Sequence, residues 1–420
     1  MVGGGLAGLS AALDLVDAGH EVTLLEARPT LGGAVQTLPR RDGDPEPPPD
    51  NGQHIALGCF TEYLRFLTRI GSADGVRRLK LSLSVIGEDG SVGTIGPGPL
   101  ALLRYPHLSL SERVAVARVG RRLGKLSPSE HDDVTFAELL RELGQSQAAI
   151  DRFWEVFIRP ALNLRSDEAS AALGIFTVQT ALLGERDASD LVLPAAPLGE
   201  MHGEAAGEAL RDAGATVRTG VRVASLGERA VVLADGEMVG GDVFVVAVPW
   251  SESARLLEEP EPPLDESPIV SVHFLFDRAI LGPPLAALIG SSAHWVFDRG
   301  RLTGHLPASG QYLTVVSSGV PDLLALRGRE LVDLMASELT ARFGRAELLW
   351  SRISREPGAT FAGRPGTASS RLDAQTARPN VSRAGAWTQT GWPATMEGAI
   401  RSGRAAARVL SASPKKAEAA

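Results

Sequence analysis

Cysteine is nearly absent from the sequence, and positive charge is in deficit. The single cysteine, Cys59, excludes an intrachain disulfide and leaves no cysteine cluster for a metal, as expected for a protein of the reducing cytoplasm. A lone thiol of this kind is typical of a small buried hydrophobic residue. Because the formal net charge is −8, the composition argues against a nucleic-acid-binding surface, and we expect no nucleic-acid partner.

Long apolar runs are also missing. No uncharged stretch reaches the roughly 18 residues that a transmembrane helix needs. Even the segment from Ile269 to Ile289 is interrupted by His273, Asp277, Arg278 and two prolines. No signal peptide is recognisable either, so we expect a cytoplasmic protein that does not span a bilayer.

The most informative motif of the sequence lies in its first 26 residues. Gly3, Gly5 and Gly8 fit the pattern G-x-G-x-x-G, and a helical run over residues 9–18 follows directly. Residues 21–25 are typical of a β-strand, which ends at Glu26. This order predicts a dinucleotide site, since glycines admit a pyrophosphate, a helix N-terminus attracts its charge, and the acid accepts ribose hydroxyls.

The acid at position 26 narrows the choice of nucleotide. A carboxylate favours FAD or NAD over NADP, because it would repel the 2′-phosphate of NADP. The alternative interpretation is a glycine-rich turn that only packs a helix on a sheet, which leaves Glu26 unexplained. The first strand is short, since only Met1 and Val2 precede the glycines. We expect a start codon assigned too late, because loss of a buried parallel strand would expose the core on both sides.

An amphipathic helix is predicted over Ser111–Leu126. Apolar side chains recur on one side at helical spacing, and basic side chains cluster on another; the apolar ones are Val116, Val119, Leu123 and Leu126, and the basic ones are Arg118, Arg121, Arg122 and Lys125. One interpretation is peripheral docking on the anionic inner face of the cytoplasmic membrane. The other is an ordinary core helix with a solvated face.

Several later segments complete a recognisable pattern. The glycine motif, the pair Gly32-Gly33, the strand ending at Pro249 and the segment 391–403 together resemble the flavin-containing amine oxidase and phytoene desaturase superfamily. Further motifs resemble one branch, the squalene-associated FAD-dependent desaturases, which are hydroxysqualene dehydroxylases of bacterial squalene and hopanoid synthesis; these motifs are 50–54, 153–155, 161–163, 189–194 and 387–399. The resemblance runs from Val2 to about Leu410.

The resemblance implies an α/β fold, in which a Rossmann-type FAD-binding domain is interleaved with a substrate domain made of a mixed sheet and helices. A chain of 420 residues is long enough for two such domains. The FAD-binding domain is expected to comprise residues 1–65, 190–255 and 376–410. The substrate domain is expected to comprise residues 66–189 and 256–375, and residues 411–420 to form a disordered tail.

FAD is the implied cofactor, and the resemblance assigns it a set of contacts. The residues expected to bind it are Gly3, Gly5, Leu6, Ala7, Gly8, Glu26, Ala27, Gly32, Gly33, Val223, Trp392, Thr395, Met396 and Glu397. Val223 is expected to contact adenine through its backbone, and Trp392 to shape the pocket of the flavin ring. The backbone N–H groups of Met396 and Glu397, at a helix N-terminus, should favour negative charge on the flavin. For each of these residues the alternative role is core packing.

Two positions depart from the family pattern. Similar proteins often have arginine at the position of Ala34, and an aspartate at the position of Ala386 that binds the flavin ribityl chain. Loss of that hydrogen bond would weaken FAD binding by about 1 kcal/mol without excluding it. These changes leave a flavin-free scaffold as one alternative function.

The implied reaction removes the hydroxyl of 12-hydroxysqualene, a C30 isoprenoid lipid, to give squalene. Protein groups must then supply a proton donor, an apolar channel and a rigid flavin. His54 is the expected donor, with Asp50 as its partner or substitute. Other enzymes of the squalene pathway are expected partners. A carotenoid desaturase or an amine oxidase remains the alternative enzyme class.

Overall fold

The computed structural model describes residues 1–411, so the tail predicted over 411–420 lies outside the described residues except for its first position. The α-helices are α1 (Leu6–Asp17), α2 (Thr61–Arg69), α3 (Pro99–Leu103), α4 (Leu110–Leu123), α5 (Phe136–Glu142), α6 (Gln147–Ala149), α7 (Glu155–Leu162), α8 (Ala171–Thr177), α9 (Ala205–Asp212), α10 (Trp250–Leu257), α11 (Arg299–Thr303), α12 (Pro321–Ala325), α13 (Gly328–Phe343), α14 (Thr367–Ser370) and α15 (Met396–Ser411). Single π-helical segments occur at Ile150–Trp154, Val178–Leu182 and Gly199–Glu204.

The strands are β1 (Thr23–Glu26), β2 (Ala56–Leu57), β3 (Val76–Leu79), β4 (Leu83–Ile86), β5 (Val92–Ile95), β6 (Leu191–Pro194), β7 (Thr216–Thr219), β8 (Val223–Leu226), β9 (Ala230–Leu233), β10 (Met238–Gly240), β11 (Phe244–Val246), β12 (Glu266–Phe276), β13 (Leu285–Leu288), β14 (Trp295–Asp298), β15 (Gln311–Ser318), β16 (Leu348–Phe361) and β17 (Val381–Arg383).

A parallel sheet brings residues 1–3 together with four strands from distant parts of the chain. β1 pairs with β7 and β11 pairs with β17, in both cases in parallel. Residues 1–3 lie between β1 and β11: Val2 N donates to Val245 O at 2.9 Å, and Gly3 N donates to Leu25 O at 2.8 Å. The order is therefore β7, β1, residues 1–3, β11, β17. The glycine motif therefore begins at the central strand position of the sheet. Doubly wound folds bind nucleotides at this place.

Two helices, α1 and α15, pack on this sheet, and small residues allow them to approach each other closely. α1 buries nine of its residues, so it packs on several sides rather than along one stripe. α15 packs against it where an added Cβ on Gly403 would lie 2.1 Å from Ala7 O. The middle of α15 thus lies against the first turns of α1.

A second, larger sheet has seven strands, and the other strands form two three-stranded sheets, β10-β9-β8 and β2-β6-β3. The seven-stranded sheet has the order β16-β12-β15-β14-β13-β4-β5, is mostly antiparallel, and contains one parallel pair between β13 and β4. β12 lies between β15 and β16 and is almost wholly buried, which agrees with its apolar composition. The segment 99–182 adds the helices α3–α8 beside this sheet. All strands of this sheet lie within 66–189 and 256–375, although the domain boundaries themselves stay a prediction.

The predicted amphipathic helix corresponds to α4, which begins and ends slightly earlier than expected. Ser109 forms a capping box with Glu112, which fixes the N-terminus. Val116, Val119 and Leu123 are buried, as the pattern predicted, and the four basic side chains are exposed. Within residues 1–411, none of the helices combines the length and the apolar character needed to cross a bilayer.

Candidate functional site

The predicted glycine motif forms a turn directly before α1. An added Cβ would lie 2.2 Å from a neighbouring backbone oxygen at Gly3 and 2.0 Å from one at Gly8, so side chains are excluded at both positions. Gly5 precedes the helix, and no side chain caps it. Its first turn, which includes Leu6 and Ala7, contains no acidic residue. The N–H groups of this turn are therefore suited to an anionic ligand.

Glu26 lies at the end of β1, beside the glycine turn. Its Oε2 accepts a hydrogen bond of 2.6 Å from Gly4 N, and its Oε1 accepts one of 2.7 Å from Arg28 N. These bonds fix the carboxylate next to the turn, and Ala27 follows at the surface. The arrangement has the geometry expected for ribose binding, which stays a prediction for both residues.

The second glycine pair packs on the first motif. Gly5 forms a parallel bridge with Gly32, and an added Cβ on Gly33 would lie 2.8 Å from the Cα atom of Gly5. Two turns thus meet with no side chain between them, and Ala34 follows at the surface. This side-chain-free cradle at a helix N-terminus fits the diphosphate of a dinucleotide.

Trp392 lies in an aromatic group just before α15. Its ring contacts Phe60 edge-on at 5.7 Å and Phe176 at 5.1 Å between centroids. The guanidinium of Arg401 lies 4.9 Å from the centre of the Trp392 ring. The tryptophan is therefore buried and held on several sides, which is compatible with the predicted ring pocket and with core packing alike.

The start of α15 contains the other predicted cofactor residues. Thr395 precedes the helix and caps its first turn through its hydroxyl. Met396 is buried at the first helical position. Glu397 is fully buried, and its carboxylate accepts hydrogen bonds from Glu62 N at 3.2 Å and Tyr63 N at 2.7 Å. Its side chain thus caps α2 from a distant helix, a role that the sequence did not predict.

Arg371 belongs to this region although the sequence did not predict it as a site residue. Its guanidinium is buried and donates to the carbonyl oxygens of the loop that leads to α15, namely those of Ala386, Trp387, Thr388 and Trp392. It also lies 4.7 Å from the centre of the Phe361 ring. Burial lowers the pKa of Arg371 to about 10. One cation therefore fixes the backbone of the predicted flavin loop.

Asp50 does not contact His54 through its carboxylate. Its Oδ2 forms a fully buried ion pair with Arg299 at 2.7 Å. Its Oδ1 accepts from the Thr37 hydroxyl at 2.7 Å and from Leu198 N at 3.0 Å. Both oxygens act as acceptors, which is the bonding of an ionised carboxylate and not of a proton donor. The contacts therefore favour a structural role for Asp50 over the predicted catalytic one.

His54 lies four residues further along the same segment. The residue keeps some accessible surface, yet desolvation lowers the pKa of its imidazole to about 4. A proton-donor role for His54 stays a prediction. A charge on His54 would also lower the pKa of His202.

Val223, the predicted adenine contact, lies on β8 and is buried in the core cluster that includes Val2 and Leu25. Its carbonyl oxygen accepts a weak hydrogen bond of 3.4 Å from Arg255. The residue is therefore close to the parallel sheet. Contact with adenine stays a prediction.

Comparison with known proteins places these features in a family. Residues 6–411 match the model of the family described as flavin containing amine oxidoreductase. A hydroxysqualene dehydroxylase from Sinorhizobium fredii is 28% identical over 424 residues, which cover 97% of this chain and 96% of that protein. A chloroplastic/chromoplastic 15-cis-phytoene desaturase from Solanum lycopersicum is 26% identical, with 98% of this chain and 77% of that protein covered. The solved structure of cyclohexylamine oxidase from Brevibacterium oxydans has a TM-score of 0.71 at 18% identity, and the match covers 98% of this chain and 97% of the oxidase.

The similarity to the solved structure of cyclohexylamine oxidase confirms the predicted α/β fold, since it spans both chains almost completely. The family match confirms the predicted flavin cofactor and the oxidoreductase class. It also agrees with the geometry, because the cradle and the helix N-termini are the parts that a flavin dinucleotide needs. The chain belongs to the flavin containing amine oxidoreductase family.

Proposed function

We propose that this flavoenzyme is a hydroxysqualene dehydroxylase, which replaces the hydroxyl of a C30 allylic alcohol by hydrogen. The observation that carries the proposal is the similarity to a hydroxysqualene dehydroxylase over nearly the full length of both chains. The glycine cradle supports it, because it supplies a site for the cofactor, and His54 is the proton donor that we propose. The overall change adds one proton and one hydride and releases squalene and water.

The residues that would hold FAD are those of the cradle and the two helix N-termini. Gly5, Gly32 and Gly33 would admit the diphosphate, and Glu26 would bind the ribose. The N-terminus of α15 would face the pyrimidine side of the flavin, where its partial positive charge favours an anion. When bound in its reduced form, FAD supplies the hydride.

His54 would donate the proton that turns the hydroxyl into a leaving water. The imidazolium is a stronger acid than usual because burial lowers its pKa to about 4. At pH 7 only about one molecule in a thousand is protonated, so proton supply limits the rate. Catalytic turnover should therefore increase as the pH falls from 7 towards 5. Asp50 and Arg299 would hold the segment in place and exchange no proton with the substrate.

A peripheral membrane contact would explain how an insoluble C30 lipid reaches the enzyme. On the exposed side of α4, Leu110 is 63% and Val114 is 51% exposed. Arg118 and Arg122 continue this side at helical spacing and are also exposed. Apolar side chains followed by basic ones suit an anionic bilayer surface. We therefore include contact with the inner face of the cytoplasmic membrane in the proposal, and squalene-pathway enzymes as its neighbours.

Vesicle sedimentation tests the membrane contact. The protein should sediment with vesicles that contain anionic phosphatidylglycerol and remain in solution with purely zwitterionic vesicles. Replacing Arg118 and Arg122 by glutamate should abolish sedimentation. The matched control is Arg229→Glu, which replaces an exposed arginine far from α4 in the sequence; this arginine pairs with Asp242. Equal sedimentation of all three proteins would refute this contact.

The enzymatic proposal is tested first by an absorbance spectrum of the purified protein and then by anaerobic turnover. Flavin bands followed by conversion of hydroxysqualene to squalene with chemically reduced enzyme would support it. Flavin bands without conversion would refute the substrate assignment. A colourless protein that gains no bands on incubation with FAD would favour a binding scaffold.

A carotenoid desaturase is the second candidate, because the phytoene desaturase match also covers 98% of this chain. The two reactions use the flavin in opposite directions, since a desaturase removes hydride from its substrate. Incubation of the oxidised enzyme with phytoene under anaerobic conditions distinguishes them. Bleaching of the flavin bands would support the desaturase, and unchanged bands would exclude phytoene as a substrate.

A further inference from the structure

Tyr63 and His202 form a buried polar pair that none of the roles above uses. The hydroxyl of Tyr63 lies 2.8 Å from His202 Nε2, and the rings stack with centroids 5.7 Å apart. His202 Nδ1 lies 2.8 Å from Leu198 O. A carbonyl oxygen only accepts, so Nδ1 bears the proton and Nε2 accepts from the tyrosine. Both side chains are buried, and the pair is neutral at physiological pH.

Each end of this pair is bonded to a different part of the site. On one side, Tyr63 N donates to the carboxylate of Glu397, at the start of α15. On the other side, Leu198 accepts a hydrogen bond from His202 through its carbonyl oxygen. The N–H group of Leu198 donates a hydrogen bond of 3.0 Å to Asp50 Oδ1. Four hydrogen bonds, linked through the residues Tyr63 and Leu198, therefore connect the start of α15 with the segment that bears His54.

The residue that follows His202 packs against the second glycine pair. Gly203 follows His202 directly, and an added Cβ there would lie 2.4 Å from Leu31 O and 3.3 Å from Gly32 N. The π-helical segment Gly199–Glu204, which carries His202, therefore packs directly on the backbone of residues 31 and 32 beside the cradle. Three separate parts of the site meet at these two side chains.

We infer that Tyr63 and His202 are positioning residues, which fix the segment 50–54 relative to α15 and the cradle. The catalytic part of this inference rests on the proposed function, because it concerns the distance between the donor His54 and the flavin. A pair that served core packing alone would tolerate loss of the hydroxyl, since a phenylalanine ring fills nearly the same volume. The four linked hydrogen bonds predict a different result.

Hydrogen–deuterium exchange of the purified full-length protein tests the positioning role. In Tyr63→Phe, amide exchange in residues 50–54 and 196–204 should become at least tenfold faster than in the wild type. His202→Gln should give the same pattern by breaking the bond to Leu198. The matched control is Tyr105→Phe, which removes another buried hydroxyl, bonded to Arg152 O at 2.5 Å. It should leave exchange in both segments unchanged.

The inference is overturned if exchange in the two segments stays at the wild-type rate in Tyr63→Phe, or rises equally in Tyr105→Phe. Turnover gives a second measurement: kcat of Tyr63→Phe should fall about tenfold while KM stays within twofold and FAD remains bound. A KM effect with unchanged kcat would contradict positioning of the donor. If the wild type does not convert hydroxysqualene, the proposed function fails, whereas the exchange result still decides the positioning role.

Discussion

Buried histidines should make the fold unstable in mild acid. His202 and His273 are fully buried, and burial lowers their pKa to about 4 and about 3 respectively. The unfolded chain has a histidine pKa near 6.5, so between pH 6.5 and 4 it binds more protons than the folded protein. The free energy of unfolding must therefore fall as the pH decreases through this window. For His202 alone the 2.5-unit difference corresponds to about 3 kcal/mol.

Replacement of His202 isolates one of these protons. Near pH 5 a single such histidine contributes a slope on the order of 1 kcal/mol per pH unit to the free energy of unfolding. His202→Gln should lose this slope, even though the lost hydrogen bonds also lower stability at every pH. Urea unfolding at pH 7, 6 and 5 measures both effects separately. A wild-type stability that is flat over this range, or an identical slope in the variant, would refute the argument.

Four further outcomes follow from the site. His54→Gln should retain FAD, but its kcat should be at least a hundredfold lower than that of the wild type. The kcat of this variant should also no longer increase between pH 7 and 5. Unchanged turnover in an anaerobic assay would contradict the donor role. Glu26→Gln should raise the Kd of FAD about tenfold, because a charge-assisted hydrogen bond to ribose is worth about 1.5 kcal/mol, and a fluorescence titration measures it. Arg371→Met should lower the free energy of unfolding by about 3 kcal/mol, since several buried carbonyl oxygens lose their donor, and Arg371→Lys should recover part of it; equal urea midpoints for both variants and the wild type would contradict this. Ala386→Asp should lower the Kd of FAD about fivefold by restoring the ribityl contact, and an unchanged Kd would show that the side chain does not face the cofactor.

Local patterns in the sequence predicted the elements that build the site. The glycine spacing, the helix after it and the strand ending in Glu26 all depend on neighbours within about 25 residues. The helices α1 and α4 were likewise predicted from the local pattern, and their ends differ from the predictions by a few residues. Such features are set by backbone sterics and by one buried face, which a single sequence displays directly.

Polar contacts between distant segments were not predictable in the same way. Asp50 and Arg299 are 249 positions apart in the sequence, and their ion pair replaces the expected contact with His54. Glu397 was expected to act through its backbone, whereas its carboxylate caps α2 more than 300 residues earlier. The partner of a buried polar group depends on which elements the fold brings together, and the residue types alone are compatible with many partners.

The structure also bears on one departure from the family pattern, the alanine at position 386. Ala386 lacks the aspartate side chain, but its carbonyl oxygen is fixed by Arg371 at 3.1 Å, and the preceding Gly385 N donates to Ser402 at 2.9 Å. The loop therefore keeps its shape without the aspartate, and only one contact to the cofactor is lost. That loss, about 1 kcal/mol, weakens FAD binding about fivefold, which saturating FAD overcomes. A binding scaffold without flavin would need neither the cradle between Gly5 and Gly33 nor the uncapped start of α1. Their retention favours a protein that still binds FAD.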